Sequence, residues 1–73
     1  MQNYRDIDGD SGVRGFRVDP DAITVWFHGT TRFYTYSYAS AGSHHVEQMK
    51  QRALAGDGLN AYINNHVKFK YVR

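Results

Sequence analysis

Six Lys and Arg side chains and a run of tyrosines give this chain its most promising chemistry. Arg32, Tyr34, Tyr36 and Tyr38 alternate along one stretch and so share one face of an extended strand. Lys50, Arg52, Lys68, Lys70 and Arg73 follow in the C-terminal half. Tyrosine rings stack on unpaired bases, and cationic side chains meet the phosphates between them. The set therefore reads as a candidate single-stranded RNA face. The same rings beside Ile23, Val25 and Phe27 more often form the wall of a core with their hydroxyls at its rim, and a small domain without disulfides needs that bulk. A one-residue shift in strand register swaps the two faces, so the pattern leaves open which set is buried.

Other constellations lead less far. Asp6-x-Asp8-Gly-Asp10 opens like a calcium loop, but Ser11 stands where the sharp turn needs Gly and Arg17 where the bidentate Glu belongs. Gly9-Asp-Ser-Gly12 matches the tetrapeptide around a serine-protease nucleophile. A nucleophile needs a base, an orienting acid and an oxyanion hole, and a short polar arm supplies none of them. His44 and His45 are neighbours at an expected helix start, so their side chains diverge by about 100° and share an ion poorly. His28 and His66 are the remaining imidazoles, with no spacing that demands their approach. No cysteine is present, which removes disulfides and thiolate metal sites. We expect no metal, no cofactor and no catalytic set, and hence a binding protein rather than an enzyme.

The elements that position these residues follow from pattern. Residues 1–12 are polar and rich in Asp and Gly, and are expected as a loosely docked arm before a single domain over residues 13–73. Val13, Phe16 and Val18 form a first short strand, closed by the turn formers Asp19-Pro20-Asp21. Residues 22–28 alternate, with Ile23, Val25 and Phe27 on one side and Thr24, Trp26 and His28 on the other. Gly29-Thr30 makes a hairpin turn into a third strand over residues 31–38. Ala39 to Gly42 end the sheet, and Ser43 is the expected N-cap of a helix with the stripe Val46, Met49, Ala53, Leu54. Gly56 stops it, and a second helix follows from Asp57 or Gly58 with Leu59, Tyr62, Ile63 and Val67 inward. Lys68–Arg73 alternate basic and apolar residues, extending the helix or returning along the sheet. The fold class is α+β: a three-stranded antiparallel sheet followed by two α-helices packed on one face.

Bulk properties set the scale. Seventy-three residues make one small domain whose core leaves little margin, so the aromatic residues, 15% of the chain, must supply bulk. Self-association into a homodimer is the other reinforcement open to it. Residues 1–30 hold five Asp against three Arg, while residues 31–73 hold six Lys and Arg against Glu47 and Asp57. That asymmetry favours a partner presenting phosphate or acidic groups to the second half. No apolar run reaches the roughly 18 residues of a membrane span and no basic-then-apolar leader opens the chain. We expect a cytoplasmic protein without a membrane partner.

Phe27, Gly29, Tyr34-x-Tyr36 and the segment Gly56-x-x-Leu59-Asn60-x-x-Ile63 resemble the KTSC domain, a small family named for the C terminus of some lysyl-tRNA synthetases. The likeness spans residues 13 to about 71. Tyr38–Gly42 stands where the family carries a Val-Pro entering its first helix. The resemblance implies an α+β fold and an RNA-binding appendage, and it marks Asn60 as the matching polar position. From residue types alone, Asn60 in the first turn of the second helix would cap backbone groups. Expected partners are therefore RNA or, in the alternative, another protein or a second copy using exposed Trp26 and Tyr side chains.

Overall fold

The computed structural model describes residues 1–6 and 12–72. Strands β1 (Gln2–Asn3), β2 (Val13–Asp19), β3 (Ala22–Phe27) and β4 (Phe33–Ser37) form an antiparallel sheet in that order. Helices α1 (Tyr38–Ala41), α2 (Ser43–Ala55) and α3 (Leu59–Tyr62) follow, and α3 continues into a π-helical turn over Ile63–Val67. The α+β class and the strands-then-helices order match the sequence reading. The strand count does not.

The fourth strand comes from the segment expected as an arm. Gln2 pairs with Phe16 and Asn3 with Gly15. Two residues are too short to show alternation, which is why pattern missed them. Their docking rests on Tyr4, which is buried and whose hydroxyl accepts the Leu59 N–H at 3.2 Å. Arg5 adds two hydrogen bonds from its Nη2 to the Leu54 and Ala55 carbonyls at the end of α2. On the outer sheet face Gly15 leaves room for β1: a Cβ there would lie 2.6 Å from the Met1 side chain and 2.9 Å from the Gln2 carbonyl oxygen.

Between Val13 and Gly15 the β2–β3 register shifts, a bulge that turns both Val13 and Phe16 inward although they are three residues apart. Phe16, Val25 and Tyr34 line up across three strands, as do Val18, Ile23 and Tyr36. This register settles the open question of faces: the Tyr34 and Tyr36 side is the core side. The opposite face carries Arg17, Thr24 and Thr35 in one row and Gly15, Trp26 and Phe33 in another. Thr24 and Thr35 hydrogen-bond through their hydroxyls at 2.9 Å.

Helix α2 packs on β3 and β4. Val46, Met49 and Ala53 are buried, and Leu59, Tyr62, Ile63 and Val67 join them from the second helical segment. Each fully buried aliphatic side chain contributes roughly 1.5–3 kcal/mol. Leu54, expected in the α2 stripe, is instead 54% exposed, since Ala53 takes the inward position. Two cap expectations also change. Ser43 is the first helical residue rather than the cap, and residues 38–41 form α1 instead of a plain sheet exit. A capping box between Ser37 and Ser40 drives that short helix: each side chain accepts the other's backbone N–H at 3.0 Å. Gly56 ends α2 with φ 73°, the left-handed conformation expected there. Residues after the π turn run back along the sheet, where the Val72 N–H donates to the Thr35 carbonyl at 2.7 Å.

Candidate functional site

A cleft of about 230 Å³ opens where the end of β3, β4, the π turn and the C-terminal residues meet. Its position follows from the fold. The chain returns along β4, and Tyr71 is laid edge-on against Tyr34, ring centroids 4.8 Å apart, and against Tyr36 at 6.3 Å. Phe27 also meets Tyr34 edge-on, at 5.8 Å. Ile63 and Asn64 line the helical wall, and Lys68 and Phe69 the rim. Phe69 is 66% exposed, and the Lys68 ammonium sits 5.5 Å from its ring centroid.

Tyr36 forms the floor. It is 2% exposed, and its hydroxyl is pushed up to a pKa of about 12, first by burial and then by the neighbouring Tyr34 and Tyr71. The Tyr36 hydroxyl is therefore a neutral donor at any physiological pH. Apolar rings, one amide and one ammonium make a site for a flat, uncharged ring carrying a nearby negative charge. The volume is below the range usual for drug-sized ligands, so it fits a single ring system.

Of the residues singled out in the sequence, the fold brings Tyr34, Tyr36 and Lys68 together here. It places the others elsewhere. Tyr38 opens α1 rather than extending the tyrosine face, and its hydroxyl donates to Glu47 Oε2 at 2.7 Å. Lys50 pairs with the same carboxylate at 2.8 Å, donates to the Pro20 carbonyl and lies 5.6 Å from the Tyr38 ring centroid. The Lys50 ammonium, and after it the Tyr38 hydroxyl, hold the Glu47 carboxyl below its usual range, while accepting the tyrosine proton raises the Tyr38 hydroxyl. Arg52 donates to Gln48 Oε1 at 2.8 Å and lies over the Tyr62 ring at 4.4 Å. Arg32 is exposed in the hairpin, with its backbone N–H bonded to Thr30. Lys70 is exposed in the returning segment, and Arg73 lies outside the described residues. Asn60 is half-buried in the first turn of α3, on the side facing Gly12.

Phe27, Ile63, Asn64, Phe69 and Tyr71 are the cleft residues that sequence reasoning did not assign to a site. The basic–apolar alternation from Lys68 onward was the visible signal of Phe69 and Tyr71. It became informative only once the direction of that segment was known.

Imidazoles gather on the far side of the π turn. His45 Nδ1 is 2.7 Å from the Tyr62 hydroxyl, and its ring stacks on His66 at 5.6 Å and meets His44 at 5.6 Å. Tyr62 and His66 are themselves 4.5 Å apart. Tyr62 and His66 stand four residues apart on one helical side, a spacing legible in the sequence, but the approach of α2 was not. Burial lowers the His45 pKa, and His44, His66 and Lys70 lower it further. Among the described residues no group of three His, Cys, Asp or Glu side chains is arranged to hold a metal ion. The aspartate-rich and Gly-Asp-Ser-Gly motifs fall mainly outside the described residues. No described helix is long and apolar enough to cross a membrane.

No family model, curated protein or solved structure matches the chain.

Proposed function

We propose that this chain is a non-enzymatic binding module that takes single-stranded RNA by stacking one unpaired base against the cleft wall that Phe27, Tyr34 and Tyr71 form. The observation that carries this reading is the convergence of those rings, over the Tyr36 floor, with Asn64 and Lys68 at the opening. Stacking supplies affinity that tolerates sequence, the Asn64 amide can read a base edge, and Lys68 and Lys70 meet the backbone. The uneven charge of the chain supports it, since the C-terminal half carries the excess of Lys and Arg. So does the resemblance of Phe27, Tyr34-x-Tyr36 and Asn60 to the KTSC domain, whose name derives from a tRNA synthetase. We place such a module in the cytoplasm.

The test is fluorescence anisotropy of a labelled single-stranded oligoribonucleotide across a salt series. The logarithm of the affinity should fall linearly with the logarithm of salt concentration, and Tyr34→Ala should weaken binding roughly 5- to 150-fold, the loss of one base stack. Equal affinity for wild type and Tyr34→Ala would remove the reading.

A second reading has its own support. On the sheet face away from the helices, Trp26 and Phe33 lie 5.6 Å apart, and Phe33 and Met1 are 59% and 56% exposed. A surface pair of this kind, with Phe33 exposed and Trp26 half-buried, is the usual anchor of a protein interface or of self-association.

A further inference from the structure

His44, His45 and His66 come from two separate helical segments, α2 and the π turn, yet their rings form one continuous group. Lys70, on the returning segment, is close enough to oppose protonation of His45. Among the described residues, no carboxylate forms an ion pair with any of the four. Glu47, on the same helix, is committed to Lys50 and Tyr38. The groups acting on His45 are thus His44 from its own helix, Tyr62 from α3, His66 from the π turn and Lys70 from the returning segment. Three imidazoles converge without a counter-charge and the Lys70 ammonium adds to the positive field at His45, so protonating the group costs stability unless an anion compensates it.

The backbone adds to this. Helix α2 is 13 residues long and starts at Ser43 with no side-chain cap. The Val46 N–H already closes onto the Gly42 carbonyl, so the N–H groups of Ser43, His44 and His45 have no partner within the helix. Uncapped N–H groups beside imidazoles and an ammonium offer an anion several donors at once.

We infer that His44, His45 and His66, together with Lys70 and the uncapped first turn of α2, form a phosphate-binding site that fills as the imidazoles take up protons. Linkage makes the coupling reciprocal: an anion bound to protonated rings raises their pKa, and acidification raises affinity for the anion. None of the site's residues lines the cleft, although His66 and the cleft residue Asn64 belong to the same π turn. The site itself needs only a phosphate group. That it holds a backbone phosphate of RNA whose base occupies the cleft rests on the function proposed above.

The test follows the imidazole Hε1 signals of the intact chain against pH, in sodium sulfate and in sodium chloride at equal ionic strength. Sulfate keeps its double charge throughout and stands in for phosphate. In sulfate, the pKa values of His45 and His66 should rise by roughly 0.5 unit or more. His28, which makes no ring contact with the group, should titrate alike in both salts. His66→Gln and Lys70→Ala, both at exposed positions, should each reduce the shift at His45. Shifts at His45 and His66 no larger than at His28 would overturn the site, as would a full shift in both variants. Glycerol phosphate and the dinucleotide UpU then separate a phosphomonoester from a backbone phosphodiester: a response to either supports the site, and a response to neither overturns it. A sulfate response in a chain that fails to bind RNA would leave this site standing and remove only the function proposed above.

Discussion

The Tyr4 hydroxyl accepts a hydrogen bond from the backbone N–H of Leu59 across 55 residues of sequence, at 3.2 Å and in a buried setting. This one contact ties the first strand to the start of α3, the helix that leads into the π turn between cleft and imidazoles. Tyr4→Phe leaves that N–H buried without its partner, so the fold should lose about 1–3 kcal/mol. Tyr4→Ala also removes the ring and should cost about 3–5 kcal/mol. Urea unfolding followed by circular dichroism measures both. Midpoints unchanged from wild type would mean that β1 is an ornament on a three-stranded domain.

Gly56 has φ 73°, and a Cβ there would lie 2.7 Å from Arg5 Cβ. Gly56→Ala therefore meets both an unfavourable backbone and the segment that holds β1. We expect a loss of roughly 1 kcal/mol or more in the same unfolding experiment. A neutral result would contradict the close packing of Arg5 on the end of α2.

Tyr36 gives an alkaline signature. Its folded pKa of about 12 lies above the unfolded value of 10.0, so the folded state holds its proton longer. The contribution is fully present below about pH 10 and is lost as pH rises through about 12, because the unfolded chain sheds the proton first. Absorbance titration of tyrosinate should show one residue ionising late, and stability should decline over that window. Tyr36→Phe should flatten the decline.

Phe33 stands on the open sheet face, 59% exposed and distant in role from the cleft. Phe33→Glu should change stability by less than about 0.5 kcal/mol. It should abolish any concentration-dependent rise in sedimentation coefficient while leaving RNA anisotropy unchanged. Persistent self-association in this variant would take the open face out of consideration as an interface.

Much of this architecture was legible in the residues. Alternation placed β3, glycine and hydrophobic spacing placed the end of α2, and Leu59, Tyr62, Ile63 and Val67 were read as inward and are buried. The misses share a cause: they depend on contacts between distant segments. Gln2 and Asn3 carry no strand pattern of their own and pair because Tyr4 is anchored under α3. Tyr38 continues the tyrosine alternation in sequence, but the Ser37–Ser40 capping box turns the chain before it. Of the candidate RNA residues, Tyr34, Tyr36 and Lys68 share the cleft, whereas Lys50 and Arg52 are held by partners on their own helix. Phe69 and Tyr71 came to the site from the returning segment, whose course no local rule fixes.

The most direct measurement is a heteronuclear NMR titration of the intact chain with a short single-stranded oligouridine at two salt concentrations. The largest shifts should fall on Tyr34, Asn64, Lys68 and Tyr71, and they should diminish at the higher salt. Shifts confined to Trp26 and Phe33 on the opposite face, or no shifts at either salt, would contradict base capture by the cleft.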